Sequence, residues 1–262
     1  MSGTQLKSSG IVTLTTDFGT EDSYVGAMKG VVLTLAPLAR IVDITHDIPP
    51  QLIERGAIAL AEAAPYFPDG TVHVGVVDPG VGTERRPIAI ATSRAFFVGP
   101  DNGLLSLAAS PVGESVRVYE LTNERFRLPN ASTTFHGRDI FAPAAAHLAA
   151  GGAIEELGET RREFATLILQ EPERREREIA GRVIYADRFG NLVTNILSRD
   201  VGPNGRAELG RIALGPIATT YGVVQSGHPV AVFGSNGRIE IAVRDGSAVE
   251  RFGDSVAVVV RW

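Results

Sequence analysis

The chain has 262 residues, 44% of them apolar and 21% charged, enough for one large globular domain or two smaller ones. A net charge of −5 argues against general nucleic-acid binding, because no basic surplus is present to neutralise phosphates. Zero cysteines exclude disulfides, thiolate metal sites and cysteine nucleophiles; a polar N-terminal tail and no apolar run near the roughly 20 residues of a membrane span point to a soluble, cytoplasmic protein.

Ile11 to Thr15 reads as a buried strand running into Thr16-Asp17-Phe18-Gly19. A helical segment from Tyr24 to Ala36 follows, closed by Pro37. Arg40 to Ile44 is a second strand, ending at Thr45-His46-Asp47. Ile53 to Ala64 is alanine-rich and helical. Thr71 to Val77 is a third strand, followed by Asp78-Pro79-Gly80-Val81-Gly82-Thr83-Glu84-Arg85-Arg86. Pro87 to Ala91 and Ala95 to Val98 are further strands, Gly103 to Ala109 a short helix and Asp139 to Ala150 a longer one. Strands alternating with helices predict an α/β domain with a mainly parallel sheet.

The run Gln170 to Glu178 is dense in charge and reads as a solvated linker. Beyond it, short β runs spaced by Gly, Asn and Asp turns predict a small all-β domain of barrel or sandwich type. The expected division is an N-terminal domain over 11–168, a linker over 169–178 and a C-terminal domain over 179–262.

Several loops carry chemistry-bearing side chains. In an α/β sheet the carboxyl ends of the strands are where ligands bind, and Asp17 and Asp78 both sit there. Arginine seven residues after Asp78 can fix its carboxylate across the loop, and taken alone that pairing also reads as a stapled turn. Asp22 is placed either for a ligand or as a helix N-cap. Thr134-Phe135-His136-Gly137 joins a hydroxyl, an aromatic, an imidazole and a glycine ahead of a helix, where His136 is either functional or a satisfied structural histidine. Gly99-Pro100-Asp101-Asn102-Gly103 reads as a structural turn. Asp187-Arg188-Phe189-Gly190-Asn191 and Gly234-Ser235-Asn236-Gly237 cluster polar groups around glycines and fit hairpin turns. The histidines are scattered without ligand spacing, so no metal site is expected.

In order along the chain, Thr16-Asp17-Phe18-Gly19, Asp43-Ile44-Thr45-His46, Val77 to Gly82, Gly99 to Gly103, Phe135 to Asp139, Asp187 to Asn191 and Ser235-Asn236-Gly237 resemble the S-adenosyl-L-methionine (SAM) hydrolases, or SAM hydroxide adenosyltransferases, relatives of fluorinase and chlorinase. The resemblance runs from about Ile11 to Val260. It implies hydrolysis of SAM to adenosine and L-methionine by water or hydroxide attacking C5′, with no metal or organic cofactor. It further implies a homotrimer that binds SAM between one subunit's N-terminal domain and a neighbour's C-terminal domain.

By the same resemblance Asp78, Arg85 and His136 are the catalytic residues, with Arg86 as the alternative arginine. Asp17 would hold the ribose hydroxyls. Asp22 would pair with the methionine ammonium, helped by Asp187 and Ser235. Thr134 and Phe135 would line the ribose, and Phe189 and Asn191 the adenine. The halogenating relatives carry tyrosine at the position of Asp78 and a halide-binding serine at that of Gly137, which favours water here. Gln51 and Asn236 replace a tryptophan and an arginine of those enzymes. A non-catalytic SAM or adenosine binder and, more remotely, a SAM halogenase are the competing readings.

Overall fold

The computed structural model describes residues 6–110 and 116–262, so the first five residues of the polar tail lie outside the described residues. The chain divides into two compact units, Met1–Ile168 and Leu169–Trp262.

In chain order, the first unit has β1 (Ile11–Thr16), α1 (Tyr24–Leu35), β2 (Arg40–Thr45), α2 (Ile53–Ala63), β3 (Thr71–Val76), β4 (Pro87–Ala91), β5 (Ala95–Pro100), α3 (Ser106–Ala109), β6 (Arg117–Glu120), α4 (Ala142–Ala149) and β7 (Glu159–Arg161). The seven strands form one sheet in the order β2-β1-β3-β5-β4-β6-β7. Pairing is parallel from β2 through β5 and antiparallel from β5 to β7, so half of the sheet departs from the parallel expectation. The reason is local: only Thr92-Ser93-Arg94 join β4 to β5, too few residues for a parallel crossover. β6 and β7 are short strands that the sequence pattern did not reveal.

Strand alternation sends side chains to two cores. Val12, Leu14, Val72, Val74 and Val98 pack with Met28 and Val32 of α1 and with the alanine face of α4. Ile88, Ile90 and Phe97 pack on the other face with Ala57 and Leu60 of α2 and with Leu104 and Leu105. In α1 the buried Val25, Met28 and Val32 recur at three- and four-residue spacing, the stripe that ties the helix to the sheet.

Because β1 is followed by β2 on one side and β3 on the other, the chain reverses direction across the sheet between β1 and β3. The carboxyl ends of these two strands therefore flank a topological switch point, where open α/β sheets form ligand crevices.

The second unit has β8 (Glu173–Arg175), β9 (Glu178–Ala186), β10 (Leu192–Leu197), β11 (Arg206–Leu209), β12 (Ile212–Pro216), β13 (Pro229–Phe233), β14 (Arg238–Val243), the short helix α5 (Ala248–Phe252) and β15 (Ala257–Arg261). Its sheet runs β12-β11-β15-β9-β10-β14-β13, with β8 also on β9. Ala218, just past β12, donates its N–H to Ala231 and accepts from Phe233 N, so the two ends nearly close into a barrel. The charged run is therefore partly structured: Glu173–Arg175 pair with Glu178 to Ala180 as a hairpin strand. Among the described residues no helix is long and apolar enough to cross a membrane.

Candidate active site

At the carboxyl ends of β1 and β3 the first unit holds a cavity of about 420 Å³, lined among others by Asp17, Phe18, Tyr24, Gln51, Asp78, Thr134, Phe135, His136 and Gly137. Asp78 follows two residues after β3, and its side chain is only 5% exposed. Arg85 Nε donates to Asp78 Oδ1 and Oδ2, both at 3.0 Å, and its Nη2 also donates to Oδ2. The same Nη2 lies 2.8 Å from His136 Nδ1, and the guanidinium stacks over the Phe141 ring, 5.3 Å from its centroid.

A guanidinium can only donate, so His136 Nδ1 is the acceptor and the neutral ring carries its proton on Nε2. Burial lowers the His136 pKa below the ordinary imidazole value, and the adjacent Arg85 charge adds to this. At neutral pH the imidazole is therefore uncharged, and Nε2–H is a donor.

Arg86 faces elsewhere. Its Nε donates to Asp101 Oδ2 at 2.9 Å, while Asp101 Oδ1 accepts from Ala165 N at 2.6 Å. Next to Asp101, Asn102 Nδ2 donates to the Val77 carbonyl at 2.9 Å. The Asp101-Asn102 turn thus grips the Asp78–Arg86 loop at both ends, which is the structural role its glycines suggested. Gly82 (φ +77°) tightens the loop further: a Cβ there would stand 2.6 Å from the Thr133 carbonyl oxygen, so only glycine lets the Asp78 loop abut the segment carrying His136.

That segment is fixed from below. Ser132 N donates to Asp139 Oδ2 at 2.8 Å and Arg138 pairs with the same carboxylate. Burial pushes the Asp139 carboxyl up, but the Arg138 and Ser132 hydrogen bonds outweigh it and hold it below its usual range. Gly137–Phe141 form a single π-helical turn leading into α4, a local irregularity often found where a helix start serves a site.

Also lining the cavity, Asp17 accepts from Gln51 N through Oδ2 at 2.8 Å, with Gln51 in the left-handed region at φ +68°. Phe18, Tyr24 and Phe135 form a mutually packed aromatic trio, with centroids 5.1 to 5.9 Å apart. Sequence reasoning passed over Tyr24; its signal is an aromatic at the first, outward turn of α1, where 47% of it remains exposed.

The structure thus brings Asp17, Asp78, Thr134, Phe135 and His136 around one cavity, with Arg85 behind Asp78. Asp22 is exposed and does not line it; Ser23, not Asp22, occupies the N-cap position of α1. The remaining candidates belong to the second unit. Asp187 Oδ1 accepts from Phe189 N at 2.9 Å and Asn191 N at 2.8 Å, and Oδ2 accepts from Asn191 Nδ2, an Asx turn that leaves Phe189 78% exposed. Ser235 is exposed on the turn from β13 to β14. Among the described residues no group of three His, Asp or Glu side chains is arranged to hold a metal ion.

Comparison with known proteins follows the same two units. Residues 12–158 match the SAM hydroxide adenosyltransferase N-terminal domain, and residues 181–261 the corresponding C-terminal domain. A protein of Thermus thermophilus named (R)-S-adenosyl-L-methionine hydrolase is 44% identical over 94% of this chain and 96% of its own. A fluorinase of an Actinoplanes species is more distant, 27% identical over 88% of this chain and 90% of its own. A crystal structure of an uncharacterized conserved protein from Thermotoga maritima superposes with a TM-score of 0.88 at 34% identity, covering 96% of this chain and all of that one. With both domains matched, this chain belongs to the SAM hydroxide adenosyltransferase family.

Proposed function

We propose that this protein hydrolyses SAM to adenosine and L-methionine in the cytoplasm, using water held by Asp78 at C5′ of the substrate. The observation that carries the reading is the buried Asp78 carboxylate, forked by Arg85, which His136 also contacts, on a cavity that Asp17 lines as well. The Thermus relative that bears the hydrolase name spans almost the whole chain.

The chemistry suits these groups. C5′ carries a sulfonium, so methionine leaves as a neutral thioether that keeps the C–S electron pair and needs no general acid. The enzyme must align one water in line with that bond and strip it of competing solvent. Arg85 fixes Asp78 while leaving carboxylate lone pairs free to accept a water hydrogen. His136, neutral and donating from Nε2, supplies a hydrogen bond and not a second base, which assigns the departing proton to Asp78 and then to solvent. In this reading Asp17 takes the ribose hydroxyls through Oδ1, and the hold of Gln51 N on Oδ2 supports it. A halide would meet carboxylate charge at Asp78. At Gly137 a serine Cβ would press on Met28 Sδ at 3.1 Å and on Phe135 at 3.3 Å.

The site is completed in a homotrimer by the neighbour's second unit, with Asp187 and Ser235 at the methionine end and Phe189 and Asn191 at the adenine; Asp22 of the first unit, outside the cavity lining, reaches the ammonium only in that completed site. Exposed Leu35 and Leu38 ahead of the edge strand β2 and Val42 within it, and separately the exposed Phe189 of the second unit, support subunit contacts by each unit. No metal or organic cofactor takes part. Incubating the purified protein with SAM, with and without a chelator, and separating products by chromatography tests this: equal adenosine in both samples is expected. Saturable SAM binding without adenosine would favour the binding-protein reading instead.

A further inference from the structure

The segment Asp43-Ile44-Thr45-His46 has no part in the chemistry above, yet its histidine is buried next to the site. His46 is 5% exposed, and its Nδ1 lies 2.8 Å from Thr16 Oγ1, on the residue that precedes Asp17. Its backbone carbonyl accepts from Gly19 N at 2.8 Å. On its far side Nε2 is 3.1 Å from Asp43 Oδ1, in close polar contact although out of line for a hydrogen bond, and Lys29 Nζ donates to Asp43 Oδ2 at 2.6 Å.

A register irregularity makes this arrangement possible. β1 and β2 pair Leu14 with Asp43 but Thr15 with Thr45, so Ile44 is an extra residue in β2. In a regular strand residues 43 and 46 would point to opposite faces. The bulge turns Asp43 and His46 to the same side and sets His46 alongside Thr16, the re-aiming that bulges beside active sites provide.

The hydrogen-bond directions agree. Thr16 Oγ1 accepts from Phe18 N at 3.3 Å and keeps its proton for His46 Nδ1, and the Asp43 carboxylate beside Nε2 favours the tautomer that carries the ring proton there. With Nδ1 accepting, Nε2–H faces Asp43. The chain from Lys29 through Asp43, His46 and Thr16 ends on the backbone of the Asp17 turn. The loop after His46 returns at Gln51 to hold Asp17 Oδ2. Both sides of Asp17 are therefore tied to the end of β2.

We propose that His46 is a positioning residue that fixes the Asp17 carboxylate for the ribose hydroxyls of a nucleoside ligand, acting through Thr16 and braced by Asp43 and Lys29. The proposal rests on Asp17 being the ribose-binding group. His46 does not touch substrate; its effect is on the discrimination between ribose and deoxygenated sugar.

Calorimetric binding of adenosine and of 2′,3′-dideoxyadenosine to the intact protein tests this, with thermal melting in parallel. The wild-type chain should prefer adenosine by roughly ten- to a hundredfold, the size expected for hydrogen bonds to a charged acceptor. In His46→Leu that preference should shrink about tenfold while dideoxyadenosine affinity holds, and His46→Asn, which keeps a polar atom near Nδ1, should restore part of it. Thr16→Val should copy the loss and Thr16→Ser should not, which decides the matter if His46→Leu does not fold. A wild-type preference that survives both His46→Leu and Thr16→Val overturns the inference. A wild-type protein that does not distinguish the two nucleosides overturns the Asp17 assignment itself, a result visible before any variant is made.

Discussion

Asp78 and Asp101 are both buried carboxylates, each paired with one of two adjacent arginines, and their surroundings separate their tasks. Asp101 spends both oxygens on Arg86 and on a backbone N–H, whereas Asp78 has only Arg85 and opens onto the cavity. Asp78→Asn, which keeps the shape but loses the anionic acceptor, should lower kcat for SAM hydrolysis by about 10²- to 10⁴-fold with little change in melting temperature. Arg86→Ala should do the reverse, costing about 1–3 kcal/mol of stability by stranding a buried carboxylate while turnover persists. Paired steady-state kinetics and thermal melts on the two variants check this contrast. The residue types and their order were legible in the sequence, because a carboxylate at a strand end and a His-Gly ahead of a helix stand out. Which arginine meets Asp78 was not, since a turn of Gly and Pro can present either neighbour; the Asp101 pairing decides it.

At the scale of elements, close backbone approach shapes the site. A Cβ at Gly99 on β5 would stand 2.3 Å from the Gly75 carbonyl oxygen on β3, and one at Gly56 would meet Leu104 at 2.7 Å. These contacts fix the end of β3 from which the Asp78 loop springs. Gly99→Ala should therefore destabilise the protein by roughly 2–4 kcal/mol in chemical denaturation, because backbone must move to admit the methyl group. The long helices and the Val/Ile-rich strands were readable from periodicity, since each presents a stripe to one of two cores. β10 carries no alternating pattern to reveal it, because Val193, Thr194, Asn195 and Ile196 are all buried in succession. The bulge at Ile44 was equally hidden: it depends on the partner strand, not on the residues of β2.

Away from the site the molecule carries a buried titratable group, His73. His73 on β3 is 1% exposed, hydrogen-bonded through Nδ1 to Thr13 Oγ1 at 2.8 Å and stacked on Phe97. Burial lowers its pKa from 6.5 to about 4. In this range the unfolded chain takes up a proton that the folded one refuses, so stability is full above about pH 6.5 and falls as pH drops towards 4. The expected loss is roughly 3 kcal/mol from this group, and His73→Gln should flatten the acid limb of a stability-versus-pH curve measured by urea denaturation. The two-unit organisation was visible in the change from helix-strand alternation to short β runs, whereas the hairpin strand inside the charged segment was masked by its composition. Subunit number leaves no periodic trace in a sequence, which is why the trimer remains a proposal, supported by exposed apolar surface.

In the proposed reaction water, oriented by Asp78, attacks C5′ of SAM. A single-turnover reaction in heavy-oxygen water, with adenosine analysed by mass spectrometry, tests it directly. Each adenosine should carry one heavy oxygen, located on the 5′-hydroxyl, and the methionine should be unlabelled. Adenosine without label, label elsewhere in the products, or a 5′-halogenated nucleoside in chloride buffer would contradict it.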